Sequence, residues 1–279
     1  MHIGPPQVMG VLNVTPDSFS DGGRFLDHAA AIDHGLRLVA DGARWVDVGG
    51  ESTRPGADPV PADEELRRVV PVVEALAGAG VDVSIDTRKP EVAEAAVAAG
   101  ARMVNDVSAQ LAGVAAATGA AFVAMHMRGD PRTMQRGPSY GDVVTDVRDF
   151  LVARAEAAAA AGVREVWIDP GIGFGKSLAH NLALLANLDV LVATGYPVLV
   201  GASRKTMIGT LAARADRSDV VPPAGDRLAG SVTTAAWAFQ AGVAMVRAHE
   251  VAATLLAAEA VLAAAGGRQD LEESTSWHR

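Results

Sequence analysis

Cysteine is absent from the sequence, aromatic residues are scarce, and no apolar run is long enough to cross a membrane. Aromatics make up 4% of the 279 residues. Without cysteine the chain can form neither a disulfide nor a thiolate metal site, which suits a reducing cytoplasm. No stretch reaches the roughly 18 uncharged apolar residues of a membrane span, and the first ten residues lack the basic region and apolar run of a signal peptide. We therefore predict a cytoplasmic protein that spans no membrane.

Positive charge is also in short supply. The chain carries 24 lysines and arginines against 33 aspartates and glutamates, a formal net charge of −9. Nonspecific nucleic-acid binding needs a basic surface, so we expect no nucleic-acid partner. An anionic substrate would have to find a local positive site against an acidic background.

Small aliphatic residues dominate what is present, and they form strand-like runs that alternate with helical patterns. Hydrophobic residues make up 49% of the sequence, chiefly alanine and valine, a composition that suits buried parallel strands covered by helices. Eight short β-branched or aliphatic runs stand out. We predict strands at Val8–Thr15, Trp45–Gly50, Val81–Thr87, Met103–Ser108, Phe122–His126, Glu165–Gly171, Val198–Ser203 and Ala244–Glu250.

Eight alternating units predict a parallel sheet closed into a single (β/α)8 TIM barrel, with mobile loops at the carboxyl ends of its strands. We place the barrel at residues 1–265 and a polar, disordered tail at 266–279. A doubly wound open sheet is the alternative. It is disfavoured because polar residues follow nearly every strand, whereas an open sheet gathers its ligands at one switch point. In the second helix, Pro71 predicts a kink or a late start.

Three strands end in polar residues that would point into the mouth of the barrel. Asp86, Asn105 and Asp169 occupy equivalent positions in SIDTRKP, VNDVS and IDPGIGFGK. A single buried Asp or Asn is often a helix cap. Three that converge on one cavity are better explained by a heterocycle with adjacent N–H and C=O groups, because buried polar groups are costly unless they are paired.

The first two strands lead into loops rich in turn-forming residues, GVLNVTPDSFSDGG and DVGGESTRPG. Asn13 ends the first strand, and Phe19 is an apolar residue in an otherwise polar loop. Thr53 and Arg54 follow the second strand. An isolated Arg54 would be a solvated charge, but beside exposed backbone amides its planar fork suits phosphate oxygens.

The last two strands add cationic groups. Lys205 follows the seventh strand in GASRK, where small residues leave the rim open. Arg247 and His249 alternate along the eighth strand, so both should face the barrel interior. Since no carboxylate partner is evident nearby in the sequence, we interpret the pair as an anion site. The alternative is that Glu250 or a distant acidic residue pairs with Arg247.

Two further features have structural interpretations. GIGFGKS does not match the phosphate-binding Walker A loop, because Pro170 stands where the first glycine is required. Its glycines are instead predicted to let the backbone lie close to a flat ligand. His126, at the end of the fifth strand, is interpreted as a hydrogen-bonded structural histidine. No group of His, Asp and Glu has metal-ligand spacing, so no protein metal cage is expected.

Six strings, in this order, resemble the dihydropteroate synthase family of pterin-binding enzymes: GVLNVTPDSFSDGG, DVGGESTRPG, SIDT, NDVS, DPGIGFGK and GASRK. The likeness covers almost all of the chain before Gly266. It implies an enzyme of folate biosynthesis that joins 6-hydroxymethyl-7,8-dihydropterin pyrophosphate to 4-aminobenzoate. The family commonly has glycine in place of Ala109 and aspartate in place of Glu250. Neither departure removes a ligand.

The resemblance also implies which residues bind each group. For the pterin these are Asp86, Asn105, Asp169 and Lys205. For the pyrophosphate they are Asn13, Thr53, Arg54, Arg247 and His249, with Asn13 also touching Mg2+. For 4-aminobenzoate they are Phe19, Pro55, Phe174 and Ser203. The implied catalytic residues are Asp21, Arg54, Lys205, Arg247 and His249. The two mobile loops would be Thr15–Gly23 and Ser52–Gly56, and the family further implies a homodimer and inhibition by sulfonamides.

Two other functions stay open at this point. Barrel domains that move a methyl group from a methylated folate to a corrinoid share the pterin ligands, but they would have no use for Arg54, Arg247 or the first loop. A noncatalytic paralogue could bind pterin or serve as a partner subunit. The intact loops argue against it.

Overall fold

A computed structural model describes residues 5–15, 28–52, 58–129, 133–134 and 137–266. In these ranges eight parallel strands alternate with helices along the chain. The strands are β1 Gln7–Asn13, β2 Trp45–Gly49, β3 Val83–Asp86, β4 Met103–Asp106, β5 Ala121–Met125, β6 Val166–Asp169, β7 Leu199–Val200 and β8 Met245–Ala248.

The helices of the described ranges cover the outside of the sheet. They are α1 His28–Ala40, α2 Ala62–Gly78, α3 Pro90–Ala98, α4 Ala112–Thr118, α5 Val143–Ala160, α6 Leu178–Ala186, α7 Leu188–Val192, α8 Thr206–Ala215, α9 Leu228–Gln240 and α10 Val251–Gly266, with one 3-10 turn at Ala224–Asp226. Within the described ranges, none of these helices is long and apolar enough to cross a membrane.

The sheet closes into a barrel, which confirms the predicted fold and rejects the open sheet. The strands are hydrogen-bonded in the order β6-β5-β4-β3-β2-β1-β8-β7. A parallel bridge between Ile168 and Val198 then joins β6 to the start of β7. Because the strands are parallel, all their carboxyl ends meet at one mouth.

Two layers of inward side chains determine where the site lies. A cluster of buried apolar residues fills the barrel toward its amino end. Its members lie in the strands or directly beside them in the sequence, and they include Met9, Trp45, Met103, Trp167 and Met245. Side chains two residues apart on a strand face the same side. The next inward layer carries polar side chains, among them Asp47, Asn105, Asp169 and Arg247.

Two details differ from the sequence-based expectations. Helix α2 begins at Ala62 and runs through Pro71, so the predicted late start is wrong. Proline has no N–H to bond the carbonyl four residues back, and His28 Nε2 lies 3.0 Å from that carbonyl, Arg67 O. Helix α10 includes Gly266, which we had placed in the tail. Residues 267–279 lie outside the described ranges, so the disordered tail stays a prediction.

Candidate active site

Arg247 lies at the centre of the polar layer and is held by two carboxylates. Its Nε donates to Asp47 Oδ2 at 2.5 Å and its Nη2 to Asp86 Oδ2 at 2.8 Å. Asn105 Nδ2 donates to the same Asp47 oxygen at 3.0 Å. These contacts join β2, β3, β4 and β8 across the mouth.

The pairing of Arg247 settles an alternative left open by the sequence. A distant acidic residue does pair with Arg247, and Glu250 instead accepts from Arg204 Nε at 2.6 Å. An arginine has five N–H groups, and three of those on Arg247 have no partner in the described part of the chain. Its side chain is 21% exposed. The predicted anion site is therefore compatible with this geometry, and the two carboxylates that pair with Arg247 are distant from it in the sequence.

Asp47 is the functional residue that the sequence analysis missed. Its side chain is fully buried and contacts both Arg247 and Asn105. The period-two argument that we applied to β8 would have found it, because Trp45 and Asp47 must face the same side of β2.

Burial raises the pKa of Asp86 to about 7; the Arg247 guanidinium opposes the rise, and the Asp47 carboxylate adds to it. Asp86 in the unfolded chain has a pKa of about 4. Between these two values the folded protein holds a proton that the unfolded chain has lost. The free energy of unfolding should therefore fall as the pH rises from about 4 to about 7 and then level off.

Asp86→Asn should make the fall in the free energy of unfolding between pH 4 and pH 7 smaller, since the amide does not titrate. Urea unfolding at a series of pH values measures it. The free energy of unfolding should still depend on pH in this variant, because burial also raises the pKa of Asp169. An unchanged slope between pH 4 and 7 would reject the assignment of this proton to Asp86.

Asp169 and Lys205 form a second polar group at the mouth. Asp169 Oδ1 accepts from Gly171 N at 2.7 Å. Burial lowers the pKa of Lys205 to about 8, and the Asp169 carboxylate opposes this. Lys205 Nζ donates to Ile172 O and lies 4.4 Å from the centre of the Phe174 ring. The predicted pterin ligands Asp86, Asn105, Asp169 and Lys205 thus lie at the same mouth.

Two glycines of GIGFG are required by the close approach of a neighbouring loop. Gly171, Gly173 and Gly175 have φ values of 62°, 86° and 62°, a region that favours glycine. A Cβ on Gly171 would lie 1.9 Å from His126 O, and one on Gly175 2.3 Å from Arg128 O. At these two positions glycine is needed for close approach to the backbone after β5, and the predicted approach to a flat ligand stays a prediction.

Ser203 and His249 are neighbours at the rim. Ser203 Oγ lies 2.9 Å from His249 Nδ1 and 3.3 Å from Glu250 Oε2. A hydroxyl has one proton, so it donates to only one of these two atoms at a time. Ser203 therefore lies between His249 and Glu250, and Glu250 is itself paired with Arg204.

Glu51 links the two ends of the loop after β2. Its Oε2 accepts from Val60 N at 2.9 Å and from Lys89 Nζ at 2.6 Å. Burial would raise the pKa of Glu51, but these hydrogen bonds hold it below its ordinary value. Both ends of the loop are thus fixed to the start of α3. This role of Glu51 could not be predicted from the sequence, because its partners Val60 and Lys89 are distant in the chain.

Three buried oxygens of the inner layer have no hydrogen-bond partner among the described residues. They are Asp47 Oδ1, Ser84 Oγ and Asn105 Oδ1. Buried polar atoms are normally paired. These atoms give the mouth an unused capacity to bind N–H or O–H groups.

No group of three or more His, Cys, Asp or Glu side chains in the described ranges could hold a metal ion. Asn13 ends β1 beside Gly49, at the mouth. One amide oxygen fits Mg2+ only if substrate phosphates and waters complete the shell, which is how Mg2+ is commonly bound. The donors present therefore suit an ion brought in with a phosphate.

Several predicted site residues lie outside the described residues. They are Asp21, Phe19, Thr53, Arg54 and Pro55, together with most of the loops Thr15–Gly23 and Ser52–Gly56. Their roles stay predictions.

Comparisons with known proteins agree with this geometry. Residues 9–249 match the family of pterin binding enzymes. The chain is 50% identical over 269 residues to the dihydropteroate synthase of Mycobacterium leprae, covering 94% of each.

Solved structures of dihydropteroate synthases have the same fold. The Xanthomonas albilineans protein with 4-aminobenzoic acid superposes with a TM-score of 0.87 at 48% identity, covering 95% of each chain. The Yersinia pestis protein with a sulfonamide drug gives 0.87 at 44% identity, covering 96% of this chain and 97% of that one. The X. albilineans protein in complex with 7,8-dihydropteroate gives 0.83 at 44% identity, with the same coverages. The chain therefore belongs to the dihydropteroate synthase family of pterin-binding enzymes.

Proposed function

We propose that this chain condenses 6-hydroxymethyl-7,8-dihydropterin pyrophosphate with 4-aminobenzoate, giving 7,8-dihydropteroate and pyrophosphate. The proposal rests on one observation: hydrogen-bond acceptors that suit a pterin and a cationic group that suits a diphosphate lie at the same barrel mouth. Buried acceptors on Asp86, Asn105 and Asp169 suit the N–H groups of a pterin. The guanidinium of Arg247 lies beside them and suits the diphosphate of the same substrate.

The pterin is oriented by the buried end of the site. The Asp169 carboxylate accepts two parallel N–H groups from the guanidine-like edge of the ring. Asn105 Oδ1, which has no partner in the described chain, accepts another. The Lys205 ammonium donates to a ring acceptor and is aimed by its contacts with Ile172 O and the Phe174 ring.

The pyrophosphate is bound at the rim. Arg247 offers the N–H groups not used by Asp47 and Asp86, and His249 lies beside Ser203 at the same edge. We assign Thr53 and Arg54 to the same group. Mg2+, held by Asn13 and the phosphate oxygens, would neutralise charge on the leaving group.

The reaction breaks the carbon–oxygen bond at the pterin methylene, and the electron pair leaves with pyrophosphate. The electron-rich pterin can carry the resulting positive charge, so a dissociative path is favoured. The amine nitrogen of 4-aminobenzoate then forms the carbon–nitrogen bond and loses a proton to solvent or to pyrophosphate. An aromatic amine is neutral near pH 7, so the residues need only stabilise the leaving charge and hold the ring.

We assign 4-aminobenzoate to the outer part of the mouth. Phe174 and Ser203 lie at the ends of β6 and β7 and would flank it, and Asp21, Phe19 and Pro55 complete the proposed set. A sulfonamide carries the same aniline ring as 4-aminobenzoate and should compete for this position. Inhibition competitive with 4-aminobenzoate is therefore expected.

The two alternative functions are less well supported. A corrinoid methyltransferase domain has no diphosphate to bind, whereas here Arg247 has three N–H groups directed to no described partner. A noncatalytic paralogue would not need cationic side chains and hydrogen-bond acceptors at the same mouth.

One assay tests the proposal. Purified protein, pterin pyrophosphate, 4-aminobenzoate and Mg2+ should yield dihydropteroate and pyrophosphate in equal amounts, and omission of either substrate should abolish both. Pterin binding without product would favour the paralogue. Transfer of a methyl group from a methylated folate to a corrinoid would favour the methyltransferase.

We also propose that the chain forms a homodimer through α9 and α10, which pack side by side. Trp237 on α9 is 56% exposed and Leu256 on α10 is 72% exposed, so packing against a second copy would remove apolar surface on two adjacent helices from water. Leu256→Arg should shift the mass from dimer to monomer in light scattering at micromolar concentration. Leu211→Arg, on α8, is the control and should leave it unchanged. A monomeric parent protein would contradict the proposal.

A further inference from the structure

Lysine occurs at three positions of the sequence, 89, 176 and 205. Each contacts residues beyond the carboxyl end of a strand: Lys89 bonds Glu51, Lys176 bonds His126, and Lys205 bonds Ile172. The other basic groups of the chain are arginine and histidine. Lys176 is the most buried of the three, with 3% of its surface exposed. A lysine buried to this extent needs an explanation, because burial of an ammonium is costly.

Lys176 Nζ is surrounded by four acceptors from two loops. It lies 2.9 Å from Gly171 O and 3.0 Å from Phe174 O, both in the turn after β6. It lies 3.2 Å from His126 O and 2.9 Å from His126 Nδ1, at the end of β5. None of these hydrogen-bond partners is a carboxylate. The nitrogen therefore bonds the backbone of two neighbouring loops.

These contacts indicate that Lys176 is an ammonium. A neutral amine has two N–H groups, whereas an ammonium has three. Three carbonyl dipoles converge on the nitrogen. Burial lowers the pKa of Lys176 to about 7, and the Asp169 carboxylate opposes the lowering. Burial, and after it the positive charge of Lys176, lowers the pKa of His126 to about 3. His126 is therefore neutral and can accept at Nδ1.

The turn held in this way carries part of the pterin site. Residues 171–175 take three left-handed backbone conformations in five residues, which turn the carbonyls of Gly171 and Phe174 toward Lys176. The same turn presents Ile172 O to Lys205 Nζ and places the Phe174 ring beneath it. Without a cation between them, the two inward carbonyls would repel each other in a buried place.

We propose that Lys176 is a positioning residue, whose ammonium fixes the turn 171–175 and thereby holds Lys205 and Phe174 in the binding geometry for the pterin. Lys176 itself does not touch substrate, since its donors are used by the protein. The claim about substrate rests on the proposed function. The claim about Lys205 concerns the free protein and can be tested without any substrate.

The absence of cysteine allows a matched test of the charge. Lys176→Cys introduces the chain's only thiol, which can be alkylated under denaturing conditions before refolding. 2-Bromoethylamine gives an S-aminoethyl side chain of the same length as lysine, with its ammonium. 1-Bromopropane gives an S-propyl side chain of the same length and no charge. The two proteins then differ by one terminal group.

The first measurement is NMR of the free protein labelled with 13C at lysine Cε. The parent should give three Cε signals, and each alkylated protein should give two. In the S-propyl protein the Lys205 signal should move from its parent position, while the Lys89 signal, an internal control, stays in place. The S-aminoethyl protein should restore the parent position of the Lys205 signal.

The second measurement is calorimetry with a pterin that lacks the pyrophosphate. The S-propyl protein should bind it about tenfold more weakly or worse, as expected for losing hydrogen bonds to a charged group. The S-aminoethyl protein should bind it with nearly parent affinity. If both proteins bind equally and their Lys205 signals coincide, the positioning role is wrong, whatever the outcome of the synthase assay.

A third measurement needs no variant, and it decides the case if the S-propyl protein does not refold. The 15Nζ and 13Cε shifts of Lys176 in the parent protein at pH 6 should be those of an ammonium. They should not change on pterin binding, whereas those of Lys205 should. A neutral amine at pH 6, or a direct response of Lys176 to the ligand, would overturn the proposal.

Discussion

Asp169→Asn should weaken pterin binding by roughly 30- to 800-fold while the protein stays folded, which corresponds to a loss on the order of 2–4 kcal/mol. Asp169 ends β6 and is buried at the bottom of the mouth. A carboxylate can accept two parallel N–H groups from the pterin edge. The amide would place a donor against one of these donors and leave both unpaired.

The structure explains why the fold should survive this change. Asp169 Oδ1 accepts from Gly171 N at 2.7 Å, and the amide oxygen of an asparagine can keep this bond. The Nδ2 group is then directed away from the turn and toward the ligand. The variant therefore loses hydrogen bonds to the ligand and keeps the hydrogen bond from the backbone.

Calorimetry with a pterin measures the effect, and Asp82→Asn is the matched control. Asp82 is another buried aspartate, but it lies at the amino end of β3 and pairs with Arg44 and Arg102. Its variant should lose some stability and keep its pterin affinity. If the folded Asp169→Asn protein binds pterin as tightly as the parent, the assignment of the pterin edge to this residue is wrong.

The barrel and half of its polar layer could be predicted from the sequence because both depend on local periodicity. Short aliphatic runs identified the eight strands, and the polar residue at the end of a run identified Asp86, Asn105 and Asp169. The same period-two argument placed Arg247 inside the barrel. Each of these conclusions uses only a few consecutive residues.

The partners of these residues could not be predicted, because they depend on register between distant strands. Asp47 and Arg247 are 200 positions apart in the chain. They meet because β1 pairs with β2 on one side and with β8 on the other. The purpose of Gly171 was hidden for the same reason, since its neighbour is the backbone of His126 in another loop.

Arg247→Ala should weaken pyrophosphate binding far more than binding of a pterin without pyrophosphate, and should also destabilise the protein. The variant leaves Asp47 and Asp86 without their cation, and breaking a buried ion pair from one side typically costs about 3–5 kcal/mol. Protonation relieves an uncompensated carboxylate. The loss in free energy of unfolding should therefore be larger at pH 8 than at pH 5.

Two variants separate the anion role of Arg247 from its structural role. Arg247→Lys keeps a cation near the carboxylates but lacks the planar fork, so it should recover part of the stability and little of the pyrophosphate affinity. Arg44→Ala breaks an ion pair with Asp82 at the opposite end of the barrel and should leave both affinities unchanged. Calorimetry with pyrophosphate and with the pterin gives the two affinities for each variant. Equal weakening of both ligands in Arg247→Ala would mean that the arginine only supports the barrel, and the pyrophosphate would then have to bind elsewhere on the rim.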